Sequence, residues 1–217
     1  VDISGDFLRG SAEALAARFP GLSIYPVEAD FTQRVTMPDE IADLPKLGFF
    51  PGSTIGNMVA RTAVDLLRNW RCALGEGSLL LIGIDRIKDV ATLELAYDDP
   101  AGVTAAFNLN LLERINRELG GDIPIENFTH RAIWDDVHAR IEMHLVAACD
   151  MEFIVDGRGY AMVKGETIHS ENSHKYGLHD ANLLLRASGW TPIATWDDAD
   201  PAFALILAEA TAFRSAP

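Results

Sequence analysis

Short apolar runs that close on polar or glycine-rich residues, with stretches of helical spacing between them, constrain the first half of this chain more than any other feature. Leu8, Ala12, Leu15 and Phe19 recur at helical intervals over residues 7–19, and Pro20-Gly21 stops the run. Residues 22–27 read as a short buried strand ending at Glu28, Ala29, Asp30 and Phe31. Residues 45–50 form a second apolar strand, closed by Pro51-Gly52-Ser53-Thr54-Ile55-Gly56-Asn57. Residues 59–70 are helical in pattern, and residues 78–84 make a third strand that ends at Asp85, with Lys88 just beyond. Strands separated by helices predict an α/β fold with a mostly parallel sheet and helices on its faces. In such an open sheet, ligands bind outside the carboxyl ends of the strands. Asp30-Phe31, the 52–57 loop and Asp85 with Lys88 are therefore candidates to line one crevice, although acidic residues there also serve as helix caps and loop solvation.

The second half follows another pattern. Tyr97-Asp98-Asp99-Pro100 reads as a turn, and Thr104 as the cap of a helix that carries Leu111, Leu112, Ile115 and Leu119 on one face and ends at Gly120-Gly121. Residues 140–146 alternate, with Ile141, Met143 and Leu145 pointing one way and Arg140, Glu142 and His144 the other. Residues 151–155 and 160–163 flank Asp156-Gly157-Arg158-Gly159 and predict an antiparallel hairpin. Residues 178–187 are a helix stopped by Gly189, followed by strands over 190–196 and 203–207 that bring an antiparallel ending to the sheet.

Composition narrows the partners. With 217 residues and 48% hydrophobic content, the chain suits one compact domain or a large lobe with a smaller cap. Thirty-two acidic against 18 basic side chains leave a formal net charge of -14, which opposes nucleic acid and anionic membranes and favours a small-molecule or protein partner. Cys72 and Cys149 are too few for a disulfide framework or a closed zinc site, and they lack an identifiable base for nucleophilic catalysis. The six histidines form no HExxH, so no metal is expected. No run of eighteen apolar residues and no charged-then-apolar leader is present, which points to a cytoplasmic protein. The sequence opens on Val1 and reaches Asp2 after too few residues for a strand, so an upstream segment carrying the first glycine-rich nucleotide loop is expected to be missing.

Several motifs, in order, carry a resemblance. Pro51-Gly52-Ser53-Thr54-Ile55-Gly56-Asn57, Ala96-Tyr97-Asp98-Asp99, Gly102-Val103-Thr104-Ala105-Ala106-Phe107-Asn108, Arg114-Ile115-Asn116-Arg117-Glu118-Leu119-Gly120, Arg140-Ile141-Glu142-Met143 and Ile168-His169-Ser170-Glu171-Asn172-Ser173-His174-Lys175-Tyr176 resemble the histidine-specific N-alpha methyltransferases of ergothioneine biosynthesis. The resemblance spans nearly the whole chain. It implies a Rossmann-like class I core that uses S-adenosylmethionine, incomplete at its N-terminus, with an inserted substrate-binding subdomain. The expected division is 1–95 for the cofactor core, 96–177 for the substrate subdomain and 178–217 for elements returning to the core sheet. The implied reaction is methylation of the alpha-amino group of L-histidine three times, giving hercynine.

The resemblance also implies roles. Asp2 matches a ribose-binding acid, Asp30 and Phe31 the pair at the adenine end, and Gly52 a glycine near the donor methyl group. These types suit the task, since a carboxylate accepts from hydroxyls or an amino group, Phe31 covers a flat base and a glycine permits close approach. Asn57 is implied to orient the alpha-amino nitrogen and Tyr97 to donate to the substrate carboxylate, the two positions closest to catalysis. Glu171 and Ser173 are implied to read the two imidazole nitrogens, with Asn172 beside them and Met143 as a pocket wall. If residues 171–173 are extended, Glu171 and Ser173 share a face. The catalytic contribution is then positioning and desolvation. The chain is expected to be a monomer, or to associate through an open sheet edge if the upstream segment is absent. Alternatives are a methyltransferase of the same family acting on another small amine, and a non-catalytic fragment lacking the glycine loop.

Overall fold

The computed structural model describes residues 1–198, 200 and 202–211, so Ala199, Pro201 and the end of the 178–217 segment lie outside the described residues. The chain divides into two compact units, Val1–Thr54 with Val59–Ile84 and Gly177–Pro217, and Ile55–Met58 with Asp85–Tyr176.

The first unit holds helix α1 (Gly5–Arg18), strand β1 (Leu47–Phe50), helix α2 (Ala60–Leu74) and strand β2 (Leu79–Asp85). Further along the chain it adds helix α5 (Leu178–Ala187), strand β8 (Trp190–Asp197) and strand β9 (Phe203–Ala210). Its sheet has the order β1-β2-β9-β8. β1 and β2 run parallel, Leu47 opposite Leu79 through Phe50 opposite Ile82, whereas β8 and β9 are antiparallel, as the patterning predicts. α2 turns Ala63, Leu66 and Leu67 inward at helical spacing, and together with Leu80, Ile82, Leu185, Trp190 and Ile206 they form a fully buried core. Each large aliphatic side chain buried in this way contributes roughly 1.5–3 kcal/mol. Trp190 keeps its indole satisfied by donating to the Leu67 carbonyl at 2.9 Å.

One expectation for this unit is corrected. The strand over residues 22–27 does not form. Asp2 and Glu28 make a single parallel bridge, and Leu22 and Tyr25 remain exposed. An apolar run becomes a strand only when a neighbour continues the ladder and covers a face, and beyond this bridge no described residue does so. Helix α1 does form and stops before Pro20, and along its apolar stripe Leu8 and Ala12 are half-buried while Leu15 and Phe19 are exposed.

The second unit contains helix α3 (Val90–Tyr97), helix α4 (Val103–Leu119) and strands β3 (Phe128–Asp135), β4 (Arg140–Ala147), β5 (Met151–Val155), β6 (Arg158–Met162) and β7 (Thr167–His174). β3, β4 and β7 form an antiparallel sheet with β4 central, and β5 and β6 pair as the expected hairpin. Ile141, Met143 and Leu145 are buried on one face of β4, as its alternation predicts. Leu112, Ile123, Phe128, Leu145 and Phe153 make one core cluster, and Leu93, Ala132 and Ile141 a second. Helix α3 has no counterpart in the sequence reading. The cap of α4 also differs. Asp99, not Thr104, accepts from the Val103 and Thr104 amides at 3.1 and 2.8 Å. A carboxylate five positions upstream reaches both orphan N–H groups, whereas Thr104 already lies inside the helix. Among the described residues, no helix is long and apolar enough to cross a membrane.

Candidate functional site

Strand β7 supplies the centre of a polar cluster in the second unit. Glu171 faces Met143 across the ladder and Ser173 faces Ile141, so both acidic and hydroxyl groups lie on the face of the sheet that β4 lines with buried apolar side chains. Asn57 donates from its amide nitrogen to Glu171 Oε1 at 2.8 Å, across 114 positions of sequence. Tyr97 Oη lies 2.7 Å from Ser173 Oγ. Burial pushes the Glu171 carboxyl above its ordinary value.

Each of these groups is held by something sequence reading did not single out. Asn57 belongs to a short 3-10 turn (Thr54–Asn57) whose Gly56 packs directly on the end of β7. A Cβ on Gly56 would stand 2.7 Å from the His174 carbonyl oxygen, and the Gly56 carbonyl is 2.8 Å from His174 Nδ1. Tyr97 is the last residue of α3, where a helix leaves its carbonyls without internal partners. His130 Nε2 lies 2.7 Å from the Tyr97 carbonyl, and its Nδ1 is 3.0 Å from the amide nitrogen of the buried Asn108. With Asn108 as donor to Nδ1, His130 donates from Nε2 and caps the helix end that carries Tyr97.

Lys175 lies two residues beyond Ser173 and has no exposed side-chain surface. Its ammonium donates to Tyr97 Oη at 2.8 Å and Ser173 Oγ at 2.9 Å, and pairs with Asp85 Oδ2 at 2.7 Å. Residues 85–86 run beside residues 175–176 through the Tyr176 amide to the Asp85 carbonyl at 3.0 Å and a parallel bridge, which brings the pair together. Lys88 holds Asp85 Oδ1 at 2.7 Å. Burial alone would raise the Asp85 carboxyl, but the hydrogen bonds from Lys175 and Lys88 outweigh it and hold the group below the ordinary aspartate value. Lys175 shares the parity of Glu171 and Ser173, and that was the signal available in sequence for including it.

Asn172 alternates to the other face of β7, opposite Glu142. There Glu142 accepts from Arg140 at 2.5 Å and lies 2.9 Å from His144 Nε2, and the His144 and His169 rings stack at 4.7 Å. Burial pushes Glu142 up, but His144 and Arg140 bring it below its usual value. Glu142, His144 and His169 hold ligand-type atoms within 4.8 Å of one another. The Arg140 guanidinium is the charge partner of the Glu142 carboxylate in this cluster.

The residues implied to hold a cofactor belong to the first unit. Asp2 and Phe31 line one cavity of about 710 Å³ together with Phe50, Thr54 and Trp70, whereas Asp30 and Gly52 are outside its lining. Asp2 accepts from the Ser4 amide at 2.8 Å and Asp30 from the Thr32 amide at 2.9 Å, each closing a tight Asx turn with one carboxylate oxygen. The second oxygen of each accepts nothing among the described residues. Phe31 packs against Phe50 and Trp70 with ring centroids 6.1 and 6.4 Å away. A Cβ on Gly52 would meet only Thr54 Oγ1 at 3.7 Å, ordinary contact, so the protein's own packing does not require a glycine there. The next residue, Ser53, is held at a φ of 54°.

A family described as histidine-specific methyltransferase, SAM-dependent, matches residues 1–210. The chain belongs to that family. It is similar to histidine N-alpha-methyltransferase of Mycolicibacterium smegmatis, 36% identical over 216 residues that cover 95% of this chain and 64% of that protein. The protein of the same name from Mycobacterium tuberculosis is 34% identical over 220 residues, with the same two coverages of 95% and 64%. Ergothioneine biosynthesis protein 1 of Neurospora crassa is 29% identical over 154 residues, 67% of this chain and 16% of that one. The chain thus spans a little under two thirds of the length of the bacterial relatives it matches. Among solved structures, an S-adenosylmethionine-dependent methyltransferase from Clostridium acetobutylicum covers 97% of this chain, and 73% of its own length is matched, at 12% identity and a TM-score of 0.50. The CcbJ methyltransferase from Streptomyces caelestis covers 94%, with 75% of its own length matched, at 14% identity and the same TM-score of 0.50. At these identities the likeness is one of fold, and the fold of this histidine-specific methyltransferase family member is the Rossmann-like class I type.

Proposed function

We propose that the chain takes part in S-adenosylmethionine-dependent methylation of the alpha-amino group of L-histidine, three times in succession, giving hercynine. The observation that carries this reading is the grouping of Asn57, Glu171, Tyr97 and Ser173 in one hydrogen-bonded cluster beside Met143, in a chain of the histidine-specific family. Two polar groups for the nitrogens of a ring, an acceptor for an amine and a hydroxyl for a carboxylate are the groups that free histidine requires.

With its amide nitrogen turned to Glu171, Asn57 keeps its carbonyl oxygen to accept from the alpha-amino group and aim the nitrogen lone pair. Tyr97 donates to the carboxylate. Glu171 and Ser173 take the imidazole nitrogens, and Met143 closes the apolar side of the ring. A site of hydrogen bonds rejects leucine or phenylalanine because Glu171 would lose its partner, a penalty that reaches about 10⁴-fold in sites of this kind. The cofactor, when bound, supplies an electrophilic methyl group on sulfonium. Asp2 and Asp30 each offer a carboxylate oxygen to its hydroxyl or amino donors, Phe31 offers a ring face, and Gly52 leaves space. No acid-base residue is assigned to the transfer itself, whose barrier is lowered by orientation and exclusion of water.

The test is a product-mass assay with S-adenosylmethionine and a panel of free amino acids. Histidine gains one, two and then three methyl groups while the others remain unchanged, and Glu171→Gln or Ser173→Ala lowers the preference for histidine. Methylation of another amine with histidine untouched would overturn the substrate assignment.

A further inference from the structure

How the Tyr97–Ser173 pair shares its hydrogens decides what that pair is able to bind, a point that rests on the site being an amino-acid pocket. Lys175 has three N–H donors, and all three are used, on Asp85, Tyr97 and Ser173. Both hydroxyl oxygens are therefore acceptors toward Lys175, and their hydrogens point away from it. The 2.7 Å contact between them uses one of the two hydroxyl hydrogens. One remains. Because Asp85 balances the ammonium and Lys88 holds the carboxylate's other oxygen, Lys175 is locked in place and does not itself reach for a ligand.

We propose that Lys175, clamped by Asp85, is a positioning residue that makes the Tyr97–Ser173 pair a donor of a single hydrogen, delivered by Tyr97 to the substrate carboxylate, so that the site takes alpha-amino acids in preference to their decarboxylated amines. In this arrangement Ser173 donates to Tyr97 and keeps a lone pair for a ring N–H. Without Lys175 the tyrosine hydroxyl is free to rotate and to turn its lone pairs toward the carboxylate, which repels it.

Calorimetric binding of histidine and histamine to the wild type, Lys175→Met, Tyr97→Phe and the double variant tests this. Lys175→Met is expected to weaken histidine by about 10- to 100-fold, the range of a hydrogen bond to a charged group, with a much smaller change for histamine. Adding Lys175→Met to Tyr97→Phe then has little further effect, because the lysine acts through the tyrosine. Equal losses for both ligands, or additive losses in the double variant, would show a merely structural lysine and overturn the proposal. Should Lys175→Met fail to fold by circular dichroism, Asp85→Asn with Lys175→Met removes both charges and is read by the same ratio. If the wild type takes a different amino acid, the histidine assignment fails and the comparison passes to that amino acid and its own amine. A wild type that binds an amine as tightly as the parent amino acid overturns the positioning role, while the mass assay still decides the histidine assignment.

Discussion

Glu171 and His174 are three residues apart on β7, and burial moves them in opposite directions. The Glu171 carboxyl is raised, and the His174 imidazole is lowered from 6.5, with burial outweighing the Gly56 carbonyl that favours the charged ring. The folded state therefore prefers His174 neutral and the unfolded chain does not. Its contribution to stability is complete above 6.5 and is lost as pH falls through the lower folded-state value. Thermal unfolding between pH 7.5 and 5 is expected to show that loss, and His174→Gln, which still donates to Gly56, is expected to flatten it. A wild-type midpoint that does not move on acidification would contradict this. Gly52 and Gly56 separate a ligand role from a packing role in the same loop. Gly56→Ala drives a methyl into the His174 carbonyl, so it is expected to lower the midpoint and weaken histidine binding together. Gly52→Ala meets only ordinary contact and is expected to leave the midpoint near that of the wild type while weakening S-adenosylmethionine binding, as read by calorimetry. None of this contrast is visible in Pro51-Gly52-Ser53-Thr54-Ile55-Gly56-Asn57, because a glycine's neighbour across the fold leaves no mark on its own sequence.

Among the elements, those with strong local period were the legible ones. The alternation over residues 140–146 is β4, the Asp156-Gly157 hairpin joins β5 to β6, and Gly120 ends α4 in the left-handed conformation. The failures have separate causes. Residues 22–27 are apolar enough for a strand but lack a continuing ladder, and α3 has only Leu93 buried, which leaves too weak a stripe to recognise. At the head of α4, Asp99 is held down to about 2 by the amides of Thr104 and Val103. Its folded value lies below its unfolded value, so the cap stabilises above the ordinary aspartate range and is lost as pH falls toward about 2. Asp99→Ala is expected to lower the unfolding midpoint at neutral pH, and Thr104→Ala to lower it less. The reverse order would return the cap to Thr104.

Across the whole molecule, a formal charge of -14 acts on every other term. Self-repulsion weakens the compact state and is screened by salt, so raising ionic strength from about 0.01 to about 0.15 M is expected to raise the unfolding midpoint. A midpoint that falls instead would mean that local ion pairs, such as Arg140 with Glu142, matter more than the net field. The sequence by itself determined the order and kind of most elements and the charge that disfavours polyanions, since these follow from spacings of two to four residues or from simple counting, whereas the shared face of Glu171 and Ser173 held only once the fold made residues 167–174 a strand. Only the tertiary structure decided that Asn57 meets Glu171, that His130 caps the helix end bearing Tyr97, and that Lys175 faces Asp85. The physical reason is range. Periodicity reports which side of an element is buried, but the partner of a buried polar group is chosen by chain topology, here across as many as 114 positions.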